Sequence, residues 1–300
     1  MKPFYRVLGA LLCLISTASS IQASPAANNL QMTPEELHSL PENQRVILDT
    51  RSKWGYLWGH IPGAQSTGSW KDFATTKDGV QGQLNRDKKF LVEKLKKLGV
   101  SPGKAIFIYG DPENKWRQDG RFFWMFEFLG FKQVYLLQGG FDSWKKAGFP
   151  VERGSGNPPP GSTLNEQDIE FNPDTIADSN LIRGKLGQPN FVLIDNREKH
   201  EYEGSTPYGS SRGGHIPGAI HIDWRDFFTT KGQLKPGAEL EGMLSQYKIK
   251  PGNEIVVYCT GGVRSAMAYF VFRTLGYSVR NYDGSWWDWS HNPALPAEIS

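Results

Sequence analysis

Cys259 is the residue with the clearest chemistry in this chain of 300 residues. The chain has only 2 cysteines, and the other, Cys13, lies in an apolar run near the N-terminus. Cys259 follows the apolar run Ile255-Val256-Val257-Tyr258 and opens the loop Cys259-Thr260-Gly261-Gly262-Val263-Arg264. A helical pattern from Ser265 to Leu275 comes next. Only a thiolate attacks, and a thiol of ordinary pKa is mostly protonated at neutral pH. Three features of this loop lower that pKa. The helix that starts after it presents partial positive charge. Gly261 and Gly262 let the loop N–H groups curl around the sulfur. Arg264 is close enough in sequence to fold back over it. The same three features hold an anionic substrate. A merely structural cysteine calls for neither the glycines nor the arginine, so the pattern predicts a nucleophile.

The elements that must position this loop occur twice. Val46-Ile47-Leu48-Asp49-Thr50-Arg51 returns as Val192-Leu193-Ile194-Asp195-Asn196-Arg197. Gly59-His60-Ile61-Pro62-Gly63-Ala64 returns as Gly214-His215-Ile216-Pro217-Gly218-Ala219. Ile106-Phe107-Ile108-Tyr109 matches the run before Cys259, and Phe128-Leu129-Gly130-Phe131 matches Thr274-Leu275-Gly276-Tyr277. The order is the same in both halves. Each copy reads as short apolar strands alternating with amphipathic helices, for example Lys88 to Leu98, which predicts an α/β fold with a mostly parallel sheet flanked by helices. Thr33-Pro34-Glu35-Glu36 reads as a capping box with proline at the first helical position. The expected organisation is a first domain over 30–150, a Gly/Pro/Ser-rich linker over 151–165 and a second domain over 166–300. Ligands of such sheets bind at the carboxyl ends of strands, where Cys259 sits.

The first copy has no nucleophile. Tyr109 is followed by Gly110-Asp111-Pro112-Glu113-Asn114, so this domain is expected to be catalytically silent. Arg117 and Arg121 follow that stretch; an interface position is one reading, and solvated or structural roles are expected. His60 and His215 recur in both copies and are read as structural, as are Asp49 and Asp195 at the strand ends. The 6 histidines show no ligand spacing, so no metal is expected.

The composition, 38% apolar and 22% charged with a net charge of +3, is that of a folded chain and gives no footprint for nucleic acid. Lys2 and Arg6 precede the apolar run Val7 to Ile15, and small residues run from Ser16 to Ala23. This reads as a secretory signal over 1–23 that is cleaved, leaving no membrane span and a periplasmic or secreted protein. Cys259 is then the only cysteine of the mature chain, so no disulfide within it is possible.

Loop length separates two chemistries. Cysteine-based phosphatases have one more residue between cysteine and arginine, and they place His where this chain has Tyr258. A shorter cradle fits a single sulfur on the cysteine better than a phosphoryl group. With these residues in hand, the chain resembles a tandem-domain rhodanese, a sulfurtransferase of the thiosulfate or 3-mercaptopyruvate type. The Asp-x-Arg strand end, the Gly-His-Ile-Pro-Gly-Ala segment, the loop Cys259 to Arg264 and the closing Asp283-Gly284-Ser285-Trp286-Trp287-Asp288-Trp289 carry the likeness, which spans about residues 30–300. The resemblance implies a persulfide on catalytic Cys259. It implies substrate binding by Thr260, Gly261, Gly262, Val263, Arg264 and Arg197, and no cofactor. It implies a small anionic sulfur donor and an acceptor that is cyanide or a thiol, a protein thiol included. Family members often carry an arginine near the position of Glu201, and Arg212 in the insertion 204–213 is a candidate to supply that charge. The alternatives are a persulfide carrier without efficient turnover and a cysteine-based phosphatase or arsenate reductase.

Overall fold

The computed structural model describes residues 28–159 and 161–299. The expected signal over 1–23 and Cys13 lie outside the described residues, as does Pro160 of the expected linker.

The first copy runs β1 (Gln31–Met32), α1 (Pro34–Ser39), β2 (Arg45–Asp49), α2 (Lys53–Trp58), β3 (Gln65–Ser66), a hairpin of β4 (Ala74–Lys77) and β5 (Val80–Leu84), α3 (Lys88–Lys96), β6 (Ala105–Tyr109), α4 (Gln118–Phe128), β7 (Val134–Leu137) and α5 (Gly140–Lys146). Thr33 caps α1 in the expected box, its hydroxyl accepting from Glu36 N–H while the Glu36 carboxylate accepts from Thr33 N–H. The second copy runs β8 (Ile176–Ala177), α6 (Ser179–Lys185), β9 (Phe191–Asp195), α7 (Lys199–Tyr202), β10 (Ile220–His221), α8 (Gly237–Gln246), β11 (Glu254–Tyr258), α9 (Arg264–Thr274), β12 (Val279–Tyr282) and α10 (Ser285–His291).

The first sheet has the order β1-β7-β6-β2-β3 and the second, read from its other edge, β8-β12-β11-β9-β10. Every pair within these two sheets is parallel. Helices cover both faces, which explains why the central strands are unbroken apolar runs rather than alternating ones. The register puts Tyr109 beside Asp49 and Tyr258 beside Asp195, so the residues after the tyrosines, Gly110 and Cys259, leave their sheets at the same point.

α4 and α9 depart from the expected amphipathic pattern. Phe122, Phe123, Trp124, Met125 and Phe126 of α4 are all buried, as are Met267 through Phe272 of α9. A helix that is apolar all round is buried all round, and these two pack on each other between the two sheets, with Phe123 edge-on to Phe270 at 5.0 Å. The domains therefore share one hydrophobic core, which contains strand residues such as Ile106 and Ile255 as well as both helices. Gly120 makes the closest approach. A Cβ there would lie 2.6 Å from the Met267 Cα.

The segment expected as a linker packs on the first domain at its described residues. Glu152 exchanges backbone hydrogen bonds with His60, as Glu298 does with His215 at the end of the second copy. Leu164 is fully buried in the shared core. His60 and His215 stack on Tyr56 and Tyr202 at 3.9 and 3.7 Å, and each points Nδ1 at the carbonyl of the tyrosine on which it stacks.

The close approach of α4 to α9 makes a prediction. Helix propensity alone would have Gly120→Ala stabilise the protein by about 1 kcal/mol. Contact with the α9 backbone reverses the sign, to a loss of about 1–3 kcal/mol. Chemical denaturation of the variant reads the difference.

Candidate active site

Cys259 ends β11 and is 1% exposed, at the edge of a cavity of about 730 Å³ between the two domains. The loop that follows is turned inside out by its neighbours. Trp286 and Trp287 N–H groups, at the start of α10, donate to the Cys259 and Thr260 carbonyls at 3.0 and 2.9 Å. Arg121 Nη1 and Asn281 Nδ2 donate to the Gly262 carbonyl at 3.1 and 3.3 Å. With the carbonyls drawn outward, N–H groups of Gly261 and Ser265 bond the sulfur. Glycine is needed at two of these positions for different reasons. Gly262 has φ +74, and a Cβ on Gly261 would lie 2.2 Å from the Trp287 ring.

Ser285 completes the frame from the other side. It adopts φ +51, accepts from the Cys259 N–H at 3.2 Å and donates to the Tyr282 carbonyl at 2.7 Å. The Ser265 hydroxyl lies 3.5 Å from Cys259 Sγ and 2.7 Å from Asn281 Oδ1. It has one proton for the two acceptors.

Arg264 is held by a partner from the neighbouring strand end. Its Nη1 and Nη2 donate to the Glu201 carboxylate at 2.6 and 2.9 Å, and Nη2 also donates to Thr260 Oγ1 at 2.6 Å. The Thr260 hydroxyl donates to Glu201 at 2.5 Å. Glu201 is 1% exposed and Arg264 2%. The rings of Trp116 and Tyr208 lie over the guanidinium at 5.7 and 5.4 Å. Burial pushes the Cys259 thiol up, but the Arg264 charge, the Ser265 hydroxyl and the two backbone donors outweigh it and leave the thiol below its ordinary value. Burial likewise pushes Glu201 up, and its bonds to Arg264 and Thr260 bring it below its ordinary value of 4.5. The stability that this pairing contributes is full above 4.5 and is lost as pH falls through the lowered value.

Cys259, Thr260, Gly261, Val263 and Arg264 line the cavity. Gly262 stands behind them, braced by Arg121 and Asn281. Arg197 is placed elsewhere. It is 1% exposed, grips Asp195 with Nε and Nη2 at 2.9 and 2.6 Å, and donates to the Gly214 carbonyl at 2.8 Å. Arg51 of the silent copy does the same to Asp49 and Gly59. A contact repeated where there is no nucleophile ties the strand end to the Gly-His-Ile-Pro-Gly-Ala segment, and Arg197, expected to bind substrate, is not among the residues that line the cavity. Arg212 is also spent, donating to the Asn292 and Leu295 carbonyls after α10. Glu198, His200 and Glu201 bring ligand atoms within 4.8 Å of one another. Glu201 has both oxygens committed to Arg264 and Thr260, so the trio is not a free chelating set.

The first domain walls the cavity with Trp70, Trp116 and Arg117 among others. Its loop after Gly110 supplies the ring that covers Arg264, and Arg121 of α4 braces the catalytic loop while pairing with Asp283 at 2.6 Å. Sequence patterns missed Glu201 as the partner of Arg264, Arg121 as a brace of the loop, and Asn281 and Ser285. The only trace of Ser285 was the closing Asp-Gly-Ser-Trp-Trp segment.

Replacing Arg264 by methionine removes the charge beside the sulfur and leaves Glu201 unpaired, and both effects raise the Cys259 thiol. Alkylation by iodoacetamide at neutral pH should slow by about tenfold or more, with the thiolate absorbance titrating at higher pH than in the wild type.

A family model described as a rhodanese-like domain matches residues 33–147 and again 179–292. The chain is 28% identical over 277 residues to a thiosulfate sulfurtransferase of Azotobacter vinelandii, covering 90% of this chain and 97% of that one. It is 33% identical over 253 residues to the sulfur carrier protein TtuD of Thermus thermophilus, covering 80% and 86%. The crystal structure of YnjE matches with a TM-score of 0.76 at 25% identity, covering 90% of this chain and 68% of that one.

Proposed function

The chain belongs to the rhodanese family, carrying its domain twice, and on that premise we propose that it is a sulfurtransferase that moves sulfane sulfur through a persulfide on Cys259. The observation that carries this reading is the buried Cys259 thiol at a strand end, with loop N–H groups and Arg264 turned toward it and one copy only equipped in this way. With thiosulfate as donor, the thiolate attacks the outer sulfur. A bond from that sulfur to Cys259 forms, its bond to the sulfite sulfur breaks, and sulfite leaves with the electron pair. The persulfide anion stays on Cys259. Cyanide or a thiolate then attacks the outer sulfur, and the electron pair of the breaking bond restores the Cys259 thiolate. The reaction is a two-step displacement with a covalent intermediate. Loop N–H groups and Arg264 hold the negative charge of the outer sulfur. A donor of the 3-mercaptopyruvate type fits the same steps, with pyruvate enolate as the leaving group. No cofactor enters.

A second reading is favoured by the likeness to a protein named as a sulfur carrier. In that reading the persulfide forms and awaits a protein thiol, with little turnover on small acceptors. The phosphatase reading is disfavoured by the short loop and by the role of Tyr258. Its hydroxyl accepts from the Ile216 N–H at 3.1 Å, as Tyr109 does from Ile61 in the copy without chemistry.

Thiocyanate formation from thiosulfate and cyanide separates these readings. The enzyme reading expects parallel double-reciprocal plots and a fall of about 10³-fold or more in Cys259→Ser. Full activity in that variant sinks the assignment, whereas a single stoichiometric burst of transfer favours the carrier.

We further propose a periplasmic or secreted location, supported by the signal-like residues 1–23. N-terminal sequencing of the protein from the periplasmic fraction should begin near residue 24. Recovery of the chain in the cytoplasm with its N-terminus intact would overturn this.

A further inference from the structure

The charges around the cavity cancel. Arg51 pairs with Asp49, Arg117 with Asp119 and Arg264 with Glu201, at 2.6, 2.8 and 2.6 Å. Among the described residues that line the cavity, this leaves Lys71 and Asp111, one of each sign. Adding the Cys259 thiolate makes the whole site negative. A dianion such as thiosulfate enters against that charge. Arg264 is already engaged, because Glu201 and Thr260 accept from its Nη1 and Nη2 and the rings of Trp116 and Tyr208 lie 5.7 and 5.4 Å from it.

The size and walls of the cavity are a second, independent observation. About 730 Å³ is far more than a sulfur oxyanion fills, and it lies in the range of pockets for organic ligands. Trp70, Trp116, Tyr208 and Trp287 present aromatic surface to it. Such walls match a carbon-bearing group.

Building on the sulfurtransferase reading, we propose that the donor is an organic persulfide, R–S–SH with an apolar R group, and that Glu201 sets this preference by offsetting part of the Arg264 charge. The Cys259 thiolate attacks the terminal sulfur. The bond from that sulfur to Cys259 forms, its bond to the R–S sulfur breaks, and R–S⁻ leaves with the electron pair. The proton stays on the terminal sulfur, and nothing is oxidised or reduced overall. Glu201 does not touch the reacting atoms. It acts as a positioning residue through Arg264, holding the guanidinium against Thr260 and offsetting part of its charge.

The test loads the full-length protein with benzyl persulfide or with thiosulfate and follows the appearance of one added sulfur by rapid-quench intact mass. Each rate is normalised to that donor's rate with free cysteine. The wild type should favour the benzyl persulfide by about tenfold or more, and Glu201→Gln, which frees one positive charge, should shift the ratio toward thiosulfate by about tenfold. The same variant should lower the pH at which the Cys259 thiolate absorbance titrates, an effect that a purely structural role of Glu201 does not give. A normalised wild-type preference for thiosulfate overturns the proposal without reference to any variant. An unchanged donor ratio in a folded Glu201→Gln protein also overturns it. Failure of the wild type to load from either donor is a different result and refutes the sulfurtransferase reading itself.

Discussion

A thiolate at 1% exposure is costly unless its charge is answered within the protein. The site around Cys259 is organised by that constraint. Its closest answer is geometric, a six-residue loop whose carbonyls are pulled outward so that its N–H groups face the sulfur. Its second answer is Arg264, and that creates a problem of its own, because Arg264 is as buried as the thiol. A buried cation and a buried anion are tolerated when each has a hydrogen-bonded partner. Glu201 supplies that partner from the turn after the adjacent strand, and Thr260 ties the two together. The sulfur, the guanidinium and the carboxylate form one charge-balanced unit, so none of the three can be changed without disturbing the other two.

The duplication explains how such a small loop is held so firmly. Both copies use the same frame: an arginine gripping the strand-end aspartate, a tyrosine hydroxyl under the Gly-His-Ile-Pro-Gly-Ala segment, and a histidine stacked on a tyrosine. In the second copy the frame carries Cys259. In the first it carries Gly110, and the space is closed by Gly140 at φ +59, where a Cβ would lie 2.4 Å from the Gly110 carbonyl. The first copy still contributes to the site. α4 presses on α9 and reaches past it with Arg121 to brace Gly262, while Trp116 covers Arg264. The first domain is thus the wall and brace of the second.

Much of this was legible in the sequence. The repeat, the central strands, the capping box at Thr33 and the strand-loop-helix setting of Cys259 all follow from local patterns with local causes. The misses have a common physical origin. Glu201 and Arg264 are 63 residues apart and meet only because β9 and β11 are neighbours in the sheet, a fact that periodicity does not encode. α4 and α9 were read as amphipathic because their second apolar face is covered by the other domain. Arg197 makes the contact with its strand-end aspartate that Arg51 makes in the first copy. The repeat contained that information, since a feature shared with the silent copy is evidence for structure rather than chemistry.

In the proposed function, Cys259 is a thiolate that accepts and carries one sulfur atom. Intact-mass analysis of the protein after incubation with a sulfane donor, followed by peptide mapping, tests it most directly. One added sulfur is expected on the peptide containing Cys259, discharged by cyanide or a thiol. A protein that gains no sulfur from thiosulfate, 3-mercaptopyruvate or an organic persulfide, yet hydrolyses an aryl phosphate, would contradict it.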